Sequence, residues 1–211
     1  MKYSKMKILH FPDKIRSLPE AVPQALPPIH VRVKPTNRCN HNCSYCAYRL
    51  ESLSVGKDMS VRDQIPREKL LELIEDFIEM GVKAVTFSGG GEPFLYPHLA
   101  EAAAKLAASP LRFAALTNGS RLEGEAAAIF AGHATWVRVS IDGFSDESYP
   151  HYRRVAHGEF SRVMRNMAAF KRLGGPCRLG VSMIVDDFNA GHIFELASQV
   201  KDIGVDSLKI S

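Results

Sequence analysis

Residues 30–46, HVRVKPTNRCNHNCSYC, join a short strand-like segment to a loop that contains three cysteines. HVRVKP is typical of a short β-strand. Directly after it, Cys39, Cys43 and Cys46 lie within eight positions, and the whole chain has only four cysteines. Thiols so close together are typical of a disulfide, a zinc site, a redox pair or an iron–sulfur cluster. The rest of the chain has to distinguish these four uses.

Strand-like and helix-like segments alternate from the cysteines to the end of the chain. The later predicted strands are KAVTFSGGGEP, LRFAALTNG, WVRVSIDG, CRLGVSMIVDD and DSLKIS, with predicted helices at 67–81, 98–109, 123–133, 160–174 and 191–204. This alternation predicts an α/β fold with a parallel sheet, either open and doubly wound or closed toward a barrel. Both architectures place their chemistry at the carboxyl ends of the strands, so the cysteines, GGGEP, TNG and SIDG are predicted to share one mouth.

Length and composition are those of an ordinary globular domain. The chain has 211 residues, of which 45% are hydrophobic, which is enough for one well-cored domain. The net charge of +4 is mild and no long run of lysine and arginine occurs, so nucleic-acid binding is not predicted. Residues 1–29 form a proline-rich lead-in that is unlike a signal peptide, and no stretch of about 18 apolar residues predicts a membrane span. A cytoplasmic location is therefore expected, where thiols stay reduced or bind metal.

The alternatives for the cysteine loop differ in how they use its thiols. A zinc site that adds His41 has suitable residue types, but Cys39 and His41 lie only two positions apart in a tight loop. A thioredoxin-like pair of Cys43 and Cys46 leaves the third thiol without a role. A disulfide is disfavoured in a reducing compartment, and the fourth cysteine, Cys177, is distant in sequence. An iron–sulfur cluster uses thiolates at such short spacings, and three thiolates on four irons leave one iron open.

Two motifs together resemble the radical S-adenosylmethionine (radical SAM) superfamily. C-x3-C-x2-C directly follows the first strand, with an aromatic residue before the third cysteine, and SGGGEP ends the second strand, where this family carries a GGE motif. The resemblance covers residues 30–211 and implies a partial (β/α)6 barrel of parallel strands. It further implies a [4Fe–4S] cluster bound by Cys39, Cys43 and Cys46. S-adenosylmethionine (SAM) is then the second cofactor, and the electron comes from an external donor of the flavodoxin or ferredoxin type. The implied reaction is reductive cleavage of SAM to methionine and a 5′-deoxyadenosyl radical, which abstracts a substrate hydrogen.

The same resemblance nominates residues that bind SAM. Adjacent glycines let a backbone approach a ligand closely, and Glu92 adds negative charge that suits the methionine ammonium. A glycine-rich turn in which Glu92 starts a helix is the alternative interpretation of the same residues. The nominated residues are Tyr45, Gly89, Gly90, Gly91, Glu92, Asn118, Ser140, Arg153 and Arg154.

The nominations outside the two motifs rest on single positions. Ser140 in SIDG is expected to contact the cofactor's ribose or carboxylate, with Asp142 toward the substrate. Either Arg153 or Arg154 is expected at the cofactor's carboxylate, the bidentate use for which arginine is well suited. Asn118 in TNG is a candidate pocket residue, although Asn-Gly is also a turn signal.

Two other functions stay open at this point: a zinc-stabilised binding module without catalysis, and an activase that makes a glycyl radical in a partner protein. The substrate is not predicted, because its contacts in such barrels come from scattered loops. The last predicted strand ends at Ser211 without a helix to cover it, so we expect that a C-terminal extension is missing. Cys177 and Trp136 are expected in the core.

Overall fold

Six parallel strands form one sheet in the order in which they occur along the chain. The computed structural model describes residues 9, 11, 12, 26–50 and 56–211, so most of the predicted lead-in, residues 1–29, lies outside the described residues. The strands are β1 His30–Val33, β2 Ala84–Phe87, β3 Arg112–Thr117, β4 Trp136–Ser140, β5 Arg178–Met183 and β6 Ser207–Ile210. All six lie inside the predicted strand segments.

The strand order decides between the two architectures that the sequence left open. A doubly wound sheet reverses its strand order at a switch point, with helices on both faces. Here each strand pairs with the next one in sequence, β1 and β6 are the two edges, and no reversal occurs. Right-handed crossovers then place the helices on one face, and the twisted sheet curves toward an open barrel. The predicted partial (β/α)6 barrel is confirmed.

One α-helix lies between each pair of consecutive strands, except that two α-helices lie between β4 and β5. They are α1 Arg67–Glu79, α2 Leu99–Ala107, α3 Gly124–His133, α4 Tyr149–Arg153, α5 Glu159–Arg172 and α6 Ile193–Asp202. The end of α1 follows the sequence signal, because Gly81 adopts a positive φ of 74°, which glycine tolerates without strain. The short helix α4 was not predicted, and it carries one of the nominated arginines.

The two faces of the sheet differ in polarity. The helix-facing residues, including Val85, Phe87, Phe113, Val137 and Val181, are almost completely buried. The opposite face, here named the lumen face, is half-buried or exposed at many positions, among them Arg32, Arg112, Trp136, Arg138, Ser140, Arg178, Ser182 and Lys209. The hydrophobic core therefore lies between sheet and helices, and the lumen is left polar. In the described part of the chain, no helix is long and apolar enough to cross a bilayer.

Candidate active site at the carboxyl ends of the strands

The loops after β1 and β2 are joined by backbone hydrogen bonds. The cysteine loop, residues 34–50, follows β1, and the glycine loop, residues 88–93, follows β2. The backbone N–H of Gly91 donates to the carbonyl of Thr36 at 3.0 Å, and the N–H of Glu92 donates to that of Arg38 at 2.8 Å. Because β1 and β2 are neighbours, the two sequence motifs meet at one end of the sheet, as predicted.

The three glycines make this contact sterically possible. A Cβ on Gly91 would lie 2.1 Å from the carbonyl oxygen of Arg38, and one on Gly90 would lie 2.6 Å from Oδ1 of Asn37. A Cβ on Gly89 would lie 2.3 Å from the carbonyl oxygen of Gly91 within the same loop. The backbone atoms near Gly89 and Gly91 leave no room for a side chain, so these two glycines are required for packing, whereas the Asn37 side chain near Gly90 can move aside. Their predicted contact with a ligand stays a prediction.

The cysteine loop presents three free, half-buried thiols at this end. The guanidinium of Arg49 braces the loop by donating to the carbonyl of His41 at 3.0 Å and to that of Cys39 at 3.3 Å. Burial raises the pKa of the Cys39 thiol, so its thiolate needs a positive partner to form.

Arg153 is the cation closest to these thiols in the described structure. Its Nη1 donates to the sulfur of Cys43 at 3.4 Å, and its Nη2 donates to Oδ2 of Asp142 at 2.5 Å. Tyr45 also donates its hydroxyl proton to Oδ2 of Asp142, and its ring centroid lies 5.6 Å from the guanidinium carbon. Arg153 and Asp142 are both buried, so this pair is desolvated and held by hydrogen bonds.

The structure separates the two nominated arginines. Arg153 is the last residue of α4 and points into the site, whereas Arg154 is exposed and ends the helix with a left-handed φ of 48°. This change of backbone direction sends adjacent side chains to different environments. Of the two, Arg153 is the one that reaches the cysteine loop.

Glu92 is enclosed by protein donors. Its Oε1 accepts hydrogen bonds from the hydroxyl of Thr117 at 2.6 Å and the backbone N–H of Phe94 at 3.0 Å. Its Oε2 accepts one from the backbone N–H of Asn118 at 2.7 Å. Burial raises the pKa of Glu92, while these hydrogen bonds act in the opposite direction. Glu92 also caps the 3₁₀ turn Pro93–Leu95, so the structure realises the helix-start interpretation. The predicted contact with an ammonium stays a prediction.

Asn118 links the loop after β3 to the cysteine loop and to the glycine loop. Its Nδ2 donates to Oδ1 of Asn40 in the cysteine loop at 2.9 Å, and its Oδ1 accepts from the hydroxyl of Ser120 at 2.7 Å. Ser120 in turn accepts from Nδ2 of Asn40 at 2.7 Å, which completes a small buried network. Asn118 therefore fixes the cysteine loop against the end of β3.

The two remaining predicted positions, Ser140 and Cys177, lie where the strand pattern puts them. Ser140 and Ser182 are half-buried neighbours at the carboxyl ends of β4 and β5, on the lumen face. Met183 is fully buried on the helix side, and it belongs to the core. Cys177 is also buried, just before β5, and burial raises its pKa to about 12, as expected for an inert core thiol.

A sequence model for the radical SAM superfamily matches residues 33–200. The chain belongs to this superfamily. Solved radical SAM structures share its fold. The chain aligns with anSMEcpe bound to AdoMet with a TM-score of 0.68 and 21% identity, over 87% of this chain and 52% of that one. It aligns with SuiB of Streptococcus suis bound to S-adenosylmethionine with a TM-score of 0.67 and 14% identity, over 87% of this chain and 38% of that one.

Curated relatives with more similar sequences are GTP 3′,8-cyclases. That of Rhizobium etli is 26% identical over 181 residues, which cover 84% of this chain and 49% of that protein. That of Pseudomonas putida is 28% identical over 150 residues, which cover 69% of this chain and 42% of that protein. The chain spans about half, or less, of the length of these relatives.

The radical SAM family implies a [4Fe–4S] cluster and SAM, and the residues present fit both groups. Three thiols on one loop are the soft donor set that iron–sulfur clusters use, and Arg153 supplies positive charge beside Cys43. Nε of Arg153 is buried and has no acceptor among the described residues, which leaves a donor for an anionic group. Cys39, Cys43 and Cys46 would hold the cluster, and Arg153, the glycine loop and Tyr45 lie beside them.

His41 does not complete a zinc site in this arrangement. Its Nε2 lies 3.2 Å from Oε1 of Glu159, and its ring packs edge-on against Tyr149. Burial lowers the pKa of His41 to about 4. The zinc-module alternative is therefore not favoured.

Sequence reasoning missed several residues that organise this site. Arg49 and Asn40 brace the cysteine loop, and Thr117 holds the carboxylate of Glu92. Asp142 was assigned toward the substrate, but its carboxylate is occupied by Arg153, by Tyr45 and by the backbone N–H of Ile184. The only sequence feature that pointed to Asp142 was its position in SIDG, directly after a strand.

Proposed function

We propose that this chain is a radical SAM enzyme that cleaves SAM reductively and uses the resulting 5′-deoxyadenosyl radical to abstract hydrogen from a substrate. The observation that carries the proposal is one constellation at the carboxyl ends of the strands. There, the loop that carries three free thiols in a C-x3-C-x2-C pattern accepts backbone hydrogen bonds from the glycine loop at the carbonyls of Thr36 and Arg38, and the guanidinium of Arg153 lies at the sulfur of Cys43.

The chain's own residues bind and orient the reacting groups. Cys39, Cys43 and Cys46 would bind the cluster as thiolates, and the guanidinium of Arg153 lies beside the sulfur of Cys43. The packed glycines hold the second loop against the first, so that both face one mouth. When bound, the reduced cluster supplies the electron that splits SAM into methionine and the 5′-deoxyadenosyl radical.

Two further parts of the proposal concern the surroundings of the enzyme. Reductive cleavage of SAM consumes an electron, so we propose an external donor of the flavodoxin or ferredoxin type. We also propose a cytoplasmic location, because three free thiols that must stay reduced suit a reducing compartment. The names of the relatives point to unlike substrates, GTP and, for SuiB, a precursor peptide, and we carry neither over to this chain.

The test is anaerobic reconstitution of the chain, followed by iron and sulfide analysis and detection of 5′-deoxyadenosine after reduction. We expect a brown protein with a four-iron cluster that converts SAM to 5′-deoxyadenosine and methionine. Substitution of Tyr45 or Arg153 should reduce this conversion while the cluster remains. A colourless protein that binds zinc, or a reconstituted cluster that leaves SAM intact, would contradict the proposal.

A further inference from the structure

The charged side chains of the six strands all have the same sign and lie on the same face. The strands contain no aspartate or glutamate, and each of their five cationic residues is exposed or half-buried and lies, by the strand register, on the face opposite the helices. These cations line the lumen face; they are Arg32, Arg112, Arg138, Arg178 and Lys209. A concave surface lined by one sign of charge concentrates ligands of the opposite sign.

Three of the arginines line a single cavity at the amino-terminal ends of β3, β4 and β5. The cavity has a volume of about 790 Å³ and is lined by Arg112, Arg138, Arg178, Trp136 and Gly180, together with neighbouring loop residues. This volume lies within the range of roughly 300–1,000 Å³ that is usual for small-molecule sites. The sequence favoured a core position for Trp136, but the residue is half-buried and forms part of the cavity wall.

The cavity lacks matching negative charge. Its one carboxylate, Asp206, already accepts from Nζ of Lys171 at 2.9 Å and from the backbone N–H of Leu179 at 2.8 Å. Across residues 26–50 and 56–211, none of the three cavity arginines has a carboxylate within ion-pair distance. Nε of Arg138 is buried without a hydrogen-bond acceptor in the described structure, and its guanidinium lies 5.3 Å from the Trp136 ring centroid.

A glycine inside a strand keeps space open next to Arg138. Gly180 is the direct neighbour of Arg138 across the β4–β5 pair. A Cβ at this position would lie 3.6 Å from Nε of Arg138 and 2.9 Å from the hydroxyl oxygen of Ser207, so a side chain would crowd the cavity. Glycine inside a strand is unfavourable for the strand itself and often marks a place where a ligand approaches.

We propose that this arginine cavity binds the phosphate groups of a small phosphorylated substrate and thereby points its carbon skeleton toward the cofactor mouth. The substrate role rests on the proposed function, whereas the anion site stands on the cavity alone. Guanidinium groups match phosphate oxygens by bidentate hydrogen bonds, and three of them suit a polyphosphate better than a single carboxylate. On the lumen face, Arg138 lies two residues before Ser140 and Arg178 lies four residues before Ser182, so these two positions are about 7 and 13 Å below the carboxyl ends of β4 and β5.

The test is equilibrium binding of inorganic tripolyphosphate to the reconstituted full chain. Trp136 is the only tryptophan of the chain and lines the cavity, so its fluorescence reports occupancy directly, with calorimetry as a second readout. We expect Arg138→Gln and Arg178→Gln each to weaken binding by about 10-fold or more, the effect of losing one charge-assisted hydrogen bond. Affinity should also fall steeply with salt. The matched control is Arg172→Gln, on the exposed last turn of α5, which should bind like the wild type.

Further measurements separate this inference from failure of folding and from failure of the proposed function. Arg178 is exposed, so Arg178→Gln should keep the wild-type melting temperature even if Arg138→Gln does not. SAM affinity and 5′-deoxyadenosine formation without substrate should be unchanged in Arg178→Gln, because the thiols lie at the other end of the strands. If the wild type cleaves SAM but binds neither tripolyphosphate nor pyrophosphate, the cavity assignment is wrong. Equal affinity for citrate or for a glutamate-rich peptide would also overturn the assignment to phosphate. If tripolyphosphate binds as expected but SAM is not cleaved, the anion site stands and the proposed function fails.

Discussion

Replacement of Glu92 by glutamine separates the two roles that the glycine loop can give this residue. In the structure, the carboxylate accepts hydrogen bonds from Thr117 and from the backbone N–H groups of Phe94 and Asn118. A glutamine side chain offers one acceptor oxygen and one amino group. In either orientation of the amide, at least one buried backbone N–H therefore faces another donor.

The expected loss of stability follows from the backbone N–H that no longer has an acceptor. A buried donor that loses its acceptor costs about 1–3 kcal/mol of unfolding free energy. For a domain of this size, such a loss lowers the melting temperature by about 2–12 °C. If Glu92 also meets the ammonium of SAM, loss of its charge should weaken SAM binding by about 10-fold or more. No thiol is touched, so iron content should not change.

The assay pairs anaerobic thermal unfolding with calorimetric titration of SAM, for the wild type and Glu92→Gln. The control is Glu123→Gln, which removes an exposed carboxylate that pairs only with Arg121 at the surface and should change neither quantity. An unchanged melting temperature in Glu92→Gln would refute the argument that the carboxylate holds the loops. An unchanged SAM affinity together with a lower melting temperature would restrict Glu92 to that structural role.

Three other predictions concern different parts of the molecule. Cys43→Ala should lose the cluster and its visible absorbance, whereas Cys177→Ala should keep the full iron content, because Cys177 is a buried core thiol next to β5. Iron analysis of both proteins is the measurement, and iron loss from Cys177→Ala would contradict the three-thiol assignment. Gly91→Ala should reduce cluster occupancy and lower the melting temperature, because a Cβ there would lie 2.1 Å from a backbone carbonyl oxygen of the cysteine loop. A variant with wild-type iron content and melting temperature would show that the two loops can move apart without loss of iron or stability. Hydrogen bonds from the hydroxyl and N–H of Ser161 lower the pKa of Asp146 below its ordinary 3.8, so its stabilising contribution is present above that value and is lost as the pH falls through the folded-state pKa. Asp146→Ala should therefore be less stable than wild type by about 0.5–2 kcal/mol at neutral pH, with the difference shrinking below pH 3.8; equal denaturation midpoints at neutral pH would refute it.

The sequence determined those features that depend on local pattern and on general rules of chain geometry. The alternation of buried strands and amphipathic helices placed all six strands, and glycine at the end of α1 stopped that helix at Gly81. Because consecutive parallel strands place their carboxyl ends at the same edge, the cysteine loop and the glycine loop had to share one mouth. The thiol spacing and the SGGGEP segment after the next strand together carried the resemblance to the family, since both depend on residue type and spacing within one loop.

The tertiary structure decided what depends on contacts between distant segments. Sequence left a doubly wound sheet and a barrel open, because local periodicity does not contain strand order, and only the pairing of neighbouring strands excluded a reversal. Gly91, nominated for a ligand, proved to be required by the carbonyl of Arg38, and Glu92 proved to accept hydrogen bonds from donors at the end of β3.

The sequence also could not decide which of the adjacent residues Arg153 and Arg154 lies in the site. The two side chains are chemically identical, and the sequence has no signal that ranks them. A left-handed φ at Arg154 ends α4 and leaves that side chain exposed, while Arg153 points inward to Asp142 and Cys43. The arginine cavity could not be predicted from the sequence either. Its three arginines lie on three different strands, and only the pairing of those strands brings their side chains to one face. Sequence fixes the chemistry of each residue and its local backbone tendency, but the environment of a side chain is a property of the packed chain.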